Sequence, residues 1–474
     1  MSYKLKFLAI LSIGIFFAQC KTKSIENTVK PEKPNILIIH ADDLGYHDLS
    51  INGSQIYQTP NIDKLENQSV VFNNAYSNYP RCVPSRFSMM TGLYAYENNE
   101  TSNQNYNLST ISEEKNFIKQ LNKINYQTAY FGKWHLGRGQ QTPKRFGYNY
   151  SFAAGLAGSP ISFIYPFNTP KGKNKRVTKS PIVDIEEISK EGDYLTDNLT
   201  DAVIKYINEA DKSKPFMAML SYYAVHQPLE AKEADIQRNQ QEIDAFDFGD
   251  QPEYIKEGTG RTKMRQDHAT YAAMVENMDE NIGRLLATLD QLGITDNTII
   301  IFSSDHGGLS NDGTNKRDLA TSNYPLRAGK GWLYEGGIKV PLSIKWNEKF
   351  SPKQENESIV TLMDVFPTLL DIVSSKKIND IDGKSFLPLI NGTEKWNDRT
   401  VFWHSSSARP MNTGETNASA IRSGDWKLVH FYDENKIELY NIKKDISEQT
   451  DLSSELPQKT TTLLDQLNSW KNKY

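Results

Sequence analysis

The sequence contains very little cysteine: Cys20 and Cys82 are the only two among 474 residues. A disulfide-stabilised fold is therefore excluded, and each cysteine needs its own explanation. Long hydrophobic runs are missing as well. The apolar run at the N-terminus covers residues 7–18, which is shorter than the ~20 residues that cross a bilayer. The sequence is thus not that of a multi-span membrane protein.

A strong excess of charge of one sign is also absent. The chain has 54 Lys and Arg against 58 Asp and Glu, a net charge of −4, so we expect no nucleic-acid partner. The hydrophobic fraction of 38% together with 28 glycines is close to that of ordinary globular proteins. This length and composition suit one large domain with a smaller partner.

The N-terminus has the pattern of an export signal. Lys4 and Lys6 precede the apolar run 7–18, which has the length of a signal-peptide core. The run ends at Cys20, and a cysteine at this point resembles a bacterial lipobox. We therefore predict a signal peptide over residues 1–20 with lipidation of Cys20, and a polar linker over residues 21–33. The expected location is the periplasm or the outer membrane, with the lipid anchor as the only membrane contact. An ordinary signal peptide, giving a secreted protein, is the alternative.

Short buried strands alternate with helical patterns in the first four-fifths of the folded chain. This alternation predicts an α/β fold in which helices cover both faces of a sheet. The strands are expected at Asn35–His40, Thr128–Phe131, Phe216–Ser221 and Thr298–Ser303. The clearest helical periodicities cover residues 267–291 and 361–373.

The pattern changes near the C-terminus. Short strands at residues 420–422, 426–432 and 437–440 precede a helix over about 457–471, which predicts a small antiparallel sheet with one helix. We place the catalytic domain at residues 34–390 and the C-terminal subdomain at residues 391–474. The segments 155–185 and 230–265 are expected to form surface loops that determine which substrate is bound.

Polar side chains follow the predicted parallel strands at the points where these strands end. They are Asp42 and Asp43, then Lys133 and His135, then His226, then Asp305 and His306. Ligands in open α/β sheets bind beyond the carboxyl ends of the strands. The clusters should therefore converge at one edge of the sheet.

Three of these residues are carboxylates that suit a hard cation. A single Asp after a strand is commonly a helix cap or a turn residue. Two pairs at matching strand ends instead favour Ca²⁺ or Mg²⁺ bound by Asp42, Asp43 and Asp305, with His306 as a further candidate. Lys133, His135, His226 and Lys330 would add positive charge and titratable imidazole, which suits an anionic substrate.

Cys82 lies beside Arg81 and Arg86 at the start of a predicted helix. That setting lowers the pKa of a thiol, so a cysteine nucleophile is one interpretation. A buried structural cysteine is the other, and the local residues alone leave both open.

The segment Cys82-Val83-Pro84-Ser85-Arg86, followed by Thr91-Gly92, resembles the signature of type I sulfatases. Other segments in chain order are similar to motifs of the same family, across about residues 33–455. His306 and Lys339 depart from the family pattern, where many members have Asn and Arg. The similar segments are 34–45, 59–63, 132–137, 226–228, 304–307, 329–331, 335–341, 422–428 and 438–441.

The resemblance implies an alkaline-phosphatase-like fold, with a large mixed, mainly parallel sheet between helices and the small C-terminal sheet. It implies a sulfuric ester hydrolase in which a maturation enzyme, the formylglycine-generating enzyme, oxidises Cys82 to Cα-formylglycine (3-oxoalanine). The hydrated aldehyde would attack sulfur and form a covalent sulfate ester. One Ca²⁺ would be held by Asp42, Asp43, Asp305, His306 and the modified residue 82.

The same resemblance assigns roles to the remaining site residues. Lys133 and Lys330 would neutralise the sulfate oxygens, and Arg86 would orient the hydrated aldehyde. His226 would protonate the leaving alcohol, a role helped by the neighbouring sulfate charge. His135 would act as the base that releases sulfate from the ester.

The expected substrate is a sulfated carbohydrate, chiefly an algal polysaccharide of the ulvan or carrageenan type or its oligosaccharides. Two alternatives are a phosphonate or phosphate ester hydrolase of the same superfamily and an inactive glycan-binding lipoprotein. Four candidates for sugar contacts, chosen for their proximity to motifs, are Arg81, Tyr223, Arg327 and His404.

Overall fold

The computed structural model describes residues 33–96, 106–137, 141–170, 179–374 and 377–473. The predicted signal peptide, Cys20 and all but the last residue of the linker lie outside these residues, so export and lipidation stay predictions. In the described part of the chain, no helix combines the length and the apolar character needed to cross a membrane.

An eight-stranded sheet forms the centre of the molecule. Its strand order is β11-β2-β10-β8-β1-β5-β3-β4. Only β10 runs antiparallel to its neighbours, so the expectation of a mixed, mainly parallel sheet is confirmed. The strands are β1 Asn35–Ala41, β2 Val70–Tyr76, β3 Gln127–Gly132, β4 Tyr150–Phe152, β5 Phe216–Ser221, β8 Thr298–Ser304, β10 Leu342–Lys345 and β11 Gln354–Thr361.

The central strands are buried on both faces because helices cover each side of the sheet. All residues of β1, β5 and β8 are buried, which explains their nearly continuous apolar sequences. The helices are α1 Pro60–Glu66, α2 Cys82–Thr91, α3 Phe117–Lys123, α4 Pro143–Phe146, α5 Leu195–Glu209, α6 Glu233–Ala245, α7 Ala269–Gln291, α8 Glu335–Ile338, α9 Val365–Ser374, α10 Leu387–Ile390 and α11 Pro457–Lys471.

The helix predicted over residues 267–291 is confirmed as α7, whose N-cap His268 accepts a hydrogen bond from the N–H of Tyr271. The helix predicted over residues 361–373 begins too early. Thr361 ends β11, a 3₁₀ turn follows at Leu362–Asp364, and α9 starts only at Val365. The carboxylate of Asp364 accepts the N–H of Thr361 at 2.7 Å, and this cap fixes the boundary.

The polar stretch 230–265 is ordered surface structure. It contains α6 and a hairpin of strands β6 Tyr254–Glu257 and β7 Gly260–Lys263. The hairpin pairs with the short strand β9 Asn311–Asp312. Gly258 and Thr259 form the loop of this hairpin.

The predicted C-terminal antiparallel sheet with one helix is confirmed. Its order is β12-β13-β14-β15, and α11 packs on it through Leu463, Leu467 and Trp470. Sequence reasoning missed the first strand. The strands are β12 Thr400–Ser405, β13 Ala418–Ser423, β14 Trp426–Phe431 and β15 Lys436–Asn441.

A buried ion cluster joins the small sheet to α8, the short helix that precedes β10 of the large sheet. Lys427 of β14 is fully buried, and its ammonium lies 2.9 Å from both Glu335 of α8 and Glu448. Tyr76 of β2 donates to Glu335 at 2.8 Å. This paired charge fixes α8 against both sheets, because separating its members would leave a buried charge without a partner.

Glu66 at the end of α1 should make stability depend on pH. Its side chain is buried, and Oε1 has no hydrogen-bond partner. Burial, with a smaller contribution from Asp63, raises its pKa from 4.5 to about 8. The folded protein therefore keeps a proton that the unfolded chain loses above pH 4.5, so this site contributes a loss of stability as the pH rises from 4.5 to 8.

We expect Glu66→Gln to raise the free energy of unfolding at pH 9 by about 1–3 kcal/mol and to change it little at pH 5. Denaturant unfolding at the two pH values measures this. Glu242→Gln, at an exposed position of α6, is the matched control. An equal effect of Glu66→Gln at both pH values would show that proton linkage is not the cause.

Candidate active site

The polar clusters predicted at the strand ends do converge. Strands β1 and β8 are adjacent and in register, with Ala41 opposite Ser304, so the residues that follow them lie side by side. The N–H of Asp43 donates to the carboxylate of Asp305 at 3.1 Å. Strand β3 leads to Lys133 and His135, and β5 leads to His226, at the same edge of the sheet.

Cys82 is the first residue of α2 and lies directly over this edge. Its Sγ is 3.3 Å from Nε2 of His306, 3.7 Å from Oδ1 of Asp42 and 3.8 Å from Nζ of Lys330. The residue is 7% exposed. The thiol thus lies between the acidic pair after β1, a histidine and an ammonium group.

Four of the five predicted metal ligands form one tight group. Donor atoms of Asp42, Asp43, Cys82 and His306 all lie within 4.8 Å of one another. Asp305 borders the group, with Oδ1 3.6 Å from Nε2 of His306. Nδ1 of His306 lies 3.0 Å from the carbonyl of Gly307, so Nδ1 is assigned as the donor and Nε2 faces the group. A buried set of carboxylates with one imidazole fits a divalent cation.

Two lysines neutralise the adjacent carboxylates. Lys133 contacts Asp42 at 2.6 Å, and Lys330 contacts both oxygens of Asp43 at 2.6 and 2.7 Å. Burial raises the pKa of Asp42 well above its usual value, despite Lys133. Burial acts the same way on Asp43, but His226 and Lys330 together outweigh it and lower the pKa of Asp43.

Arg86 of α2 holds the acidic residues in place from below. Its Nε donates to Asp305 at 3.0 Å, and its other nitrogens lie 3.5 Å from Asp42 and 3.1 Å from the carbonyl of Lys133. The side chain is 3% exposed. Arg86 therefore connects both acidic strand ends through one planar, always charged group.

We expect Arg86→Met to lower the free energy of unfolding by about 3–5 kcal/mol, because Asp305 and Asp42 would lose a buried partner. Thermal or denaturant unfolding measures this. The matched control is Arg238→Met on α6, whose ion pairs with Asp235 and Glu276 are largely exposed and should contribute about 1 kcal/mol or less. Equal losses in the two variants would contradict the role given to Arg86.

The two histidines of the site, His226 and His135, have different neighbours but share a lowered pKa. Nδ1 of His226 lies 2.6 Å from the carbonyl of Gln227, and Nε2 lies 3.7 Å from Asp43. Burial lowers the pKa of His226 to about 3, against the opposing effect of Asp43. Burial likewise lowers the pKa of His135, although a hydrogen bond with Cys82 opposes this. Both imidazoles are thus neutral in this state of the protein.

A cavity of about 330 Å³ opens over Cys82. Of the residues singled out from the sequence, the lining includes Arg81, Cys82, His135, His226 and Lys330. Lys133 is fully buried and does not line it. The cavity therefore gives a substrate access to the thiol position, both histidines and one of the two lysines.

Sequence reasoning missed a second set of lining residues: Gly158, Ser159, Lys179, Ser180 and Arg409. The first four belong to the segment 155–185, which was expected to contact the substrate, and the cavity supports that expectation. No residue of 230–265 lines the cavity. Only Gly158 has a clear steric role, because a Cβ there would lie 2.4 Å from the ring of His135. No motif marks the others.

Three of the four suggested sugar contacts lie elsewhere. Tyr223 is fully buried and donates to the carbonyl of Ala153. Arg327 forms a two-nitrogen pair with Glu257 at 2.9 Å. His404 lies on β12 and borders a separate pocket of the small sheet. The cavity therefore gives these three predictions no support, because nearness to a motif in sequence does not place a side chain in the cavity. Only Arg81 reaches it.

Comparison with known proteins agrees with this geometry. The sulfatase family model matches residues 34–375, and the model of the N-sulphoglucosamine sulphohydrolase C-terminal region matches residues 328–473. A sulfatase of Formosa agariphila is 29% identical over 96% of this chain and 91% of its own length. An N-acetylgalactosamine-6-O-sulfatase of Bacteroides thetaiotaomicron is 26% identical over 94% and 95%.

Solved structures show the same fold. The structure of Ps i-CgsB in complex with k-i-k-neocarrahexaose is 29% identical, with a TM-score of 0.71 over 93% of each chain. The family model covers well over half of the sequence, and its range contains every residue of the convergent site. The chain belongs to the sulfatase family and is a sulfuric ester hydrolase.

Proposed function

We propose that this protein hydrolyses sulfate esters of an algal sulfated polysaccharide, of the carrageenan or ulvan type, or of its oligosaccharides. The observation that carries the proposal is the position of Cys82, at the base of an open cavity with Asp42, His306 and Lys330 around its sulfur. The likeness to a structure that holds a carrageenan-type hexaose supports the choice of sugar.

The donor set fits the groups that the family implies. Asp42, Asp43, Asp305 and His306 would hold Ca²⁺, which supplies Lewis-acid polarisation of a sulfate oxygen when it is bound. Position 82 as formylglycine would supply the nucleophile. Asp42, His306 and Lys330, which surround Sγ, would surround the modified side chain as well.

The lysines differ in what they can do for a bound sulfate. Lys330 lines the cavity and lies 3.8 Å from Sγ of Cys82, so it can neutralise sulfate oxygens directly. Lys133 is enclosed beneath and holds Asp42. Its part is to keep that carboxylate charged and in place, against the burial that raises its pKa.

The histidines fit the two proton transfers. His135 is neutral and lies beside residue 82, which is the state a base requires. His226 faces the cavity through Nε2 and must be protonated to act as the acid. A sulfate bound beside it adds negative charge and raises its pKa from the low value that burial imposes. Substrate binding would thus load the acid with its proton.

The expected route to such polymers is export. The positively charged start, the apolar run 7–18 and Cys20 support a periplasmic or outer-membrane lipoprotein, or a secreted protein if Cys20 is not lipidated. Labelling with a lipid precursor, compared between the wild type and Cys20→Ala, tests the anchor.

Sulfate release from carrageenans, ulvan, agar-type polymers and glycosaminoglycans tests the proposed function. The enzyme is co-expressed with the formylglycine-generating enzyme and assayed beside Cys82→Ala. Release from one algal class that is absent in the variant supports the proposal. Release from glycosaminoglycans alone would overturn the choice of sugar, and faster cleavage of phosphodiesters than of any sulfate ester would overturn the choice of reaction. Sugar binding without any release would point to the inactive glycan-binding protein.

A further inference from the structure

We propose that the mouth of the active-site cavity contains a second anion-binding site, formed by Lys179 and Arg409, that recognises an additional sulfate of the substrate. This inference rests on the proposed function, since it requires the substrate to be a sulfated glycan. It concerns a position outside the cluster of residues around Cys82, and it makes the enzyme selective for multiply sulfated sugars.

The cavity lining carries four fixed or ionisable cations: Arg81, Lys179, Lys330 and Arg409. Two of them are already neutralised by buried carboxylates. Arg81 pairs with Glu415, and Lys330 pairs with Asp43. Among the described lining residues, a second anion, away from the sulfate that Lys330 contacts, therefore meets uncompensated charge at Lys179 and Arg409.

Lys179 and Arg409 have no ion pair within the described residues. The ammonium of Lys179 donates one hydrogen bond, to the carbonyl of Pro160 at 3.0 Å, which leaves two of its three donors available. Across the described ranges Arg409 forms hydrogen bonds only through its backbone N–H and carbonyl, so its guanidinium fork is available. Burial lowers the pKa of both groups, and the nearby Arg81 lowers that of Arg409 further. An anion bound at the cavity mouth would stabilise both charged groups and so raise these two pKa values again.

Neutral donors also line the cavity. Ser159 and Ser180 both line it, and Ser180 directly follows Lys179 in the sequence. Neither hydroxyl has a hydrogen-bond partner in the part of the chain that the structure describes. Two hydroxyls, an ammonium and a guanidinium match the oxygens of a sulfate, which accepts several hydrogen bonds at once. A neutral sugar hydroxyl would leave both charges uncompensated.

The position of the two cations also indicates the kind of substrate. Lys179 comes from the segment before β5, and Arg409 comes from the loop between β12 and β13 of the small sheet. They approach the cavity from different parts of the fold, while the sulfate to be cleaved must reach Cys82 at its base. The second anion therefore lies on the same sugar or on its neighbour.

Pairs of oligosaccharides with one backbone and either one or two sulfates test the proposal. We expect wild-type kcat/KM to be about tenfold to hundredfold higher for the disulfated member, chiefly through KM, and the difference to shrink as salt is added. Lys179→Met and Arg409→Met should each reduce the preference and leave kcat for the monosulfated sugar unchanged. Arg409→Lys should retain part of it. The control is Lys205→Met, at an exposed position of α5.

Binding to the Cys82→Ala protein separates this proposal from the proposed function, because calorimetry with the same sugars needs no turnover. Tighter binding of the disulfated sugar that disappears in Arg409→Met supports the second site even if hydrolysis is never found. Equal affinity and equal kcat/KM for both sugars would overturn it while leaving the sulfatase activity intact. A uronic acid in place of the second sulfate distinguishes a sulfate site from a general anion site, and a stronger preference for the uronate would overturn the assignment to sulfate.

Discussion

Cys82→Ser is expected to abolish multiple turnover while leaving substrate binding nearly unchanged. A serine hydroxyl at position 82 is no larger than the hydrated aldehyde proposed there and lies in the same place between His306, Asp42 and Lys330, so the cavity and its charges persist. A serine that accepts sulfate has no second hydroxyl through which to release it. The variant should therefore release at most one equivalent of desulfated sugar per enzyme, as measured by rapid quench.

The companion measurement is the intact mass of the variant after incubation with substrate. The mass should show one retained sulfate group where one equivalent of desulfated sugar was released, and no change where none was released. Cys82→Ala, which has no nucleophilic atom at all, serves as the control and should show neither the single equivalent nor the adduct. Sustained turnover by Cys82→Ser would refute the formylglycine mechanism for this chain.

His226→Gln is expected to reduce kcat for sugar sulfates by about 10²–10⁴-fold, the range that general acid catalysis provides. Glutamine keeps a polar side chain of similar length but cannot deliver a proton. A sugar alkoxide is a poor leaving group and needs protonation, whereas nitrophenolate leaves readily as an anion. The same variant should therefore lose less than about tenfold on 4-nitrophenyl sulfate.

His135→Gln provides the matched comparison, because a base that releases sulfate acts after the alcohol has departed. The reduction of kcat in His135→Gln should therefore be similar for the sugar sulfate and for 4-nitrophenyl sulfate. If His226→Gln slowed the sugar and the aryl sulfate equally, His226 would be a positioning residue for Asp43, which it approaches at 3.7 Å, and the acid would have to be sought elsewhere in the cavity.

The acidic cluster at the bottom of the cavity could be predicted because its position follows from strand geometry. Asp42, Asp43, Asp305 and His306 come directly after buried parallel strands, and adjacent strands in register bring their next residues together. The pattern of short apolar runs was sufficient to locate these strands to within one residue at each end. The pairing of each lysine with one particular carboxylate was not predictable, since it depends on distances of a few ångströms.

The mouth of the cavity could not be predicted because its residues come from segments without periodicity. Lys179 follows a polar segment, and Arg409 lies in a loop of the small sheet whose first strand, β12, escaped detection. That strand, Thr400–Ser405, is followed directly by two further serines. Likewise, the helical pattern at Thr361 was overruled by the hydrogen bonds of Asp364 and by pairing with β2.

The buried cluster of Lys427, Glu335 and Glu448 has a consequence for how such an enzyme can diversify. Because this ion cluster fixes the small sheet to α8, the loop that carries Arg409 is presented to the cavity on a rigid support. Apart from Glu415, which pairs with Arg81 beside Cys82, its sequence can then vary without disturbing the reaction centre, and the reaction centre can stay constant while the recognised sugar changes. Grafting the loop between β12 and β13 from one sulfatase to another would accordingly be a practical route to new specificity, provided that the three buried charges and Glu415 are kept.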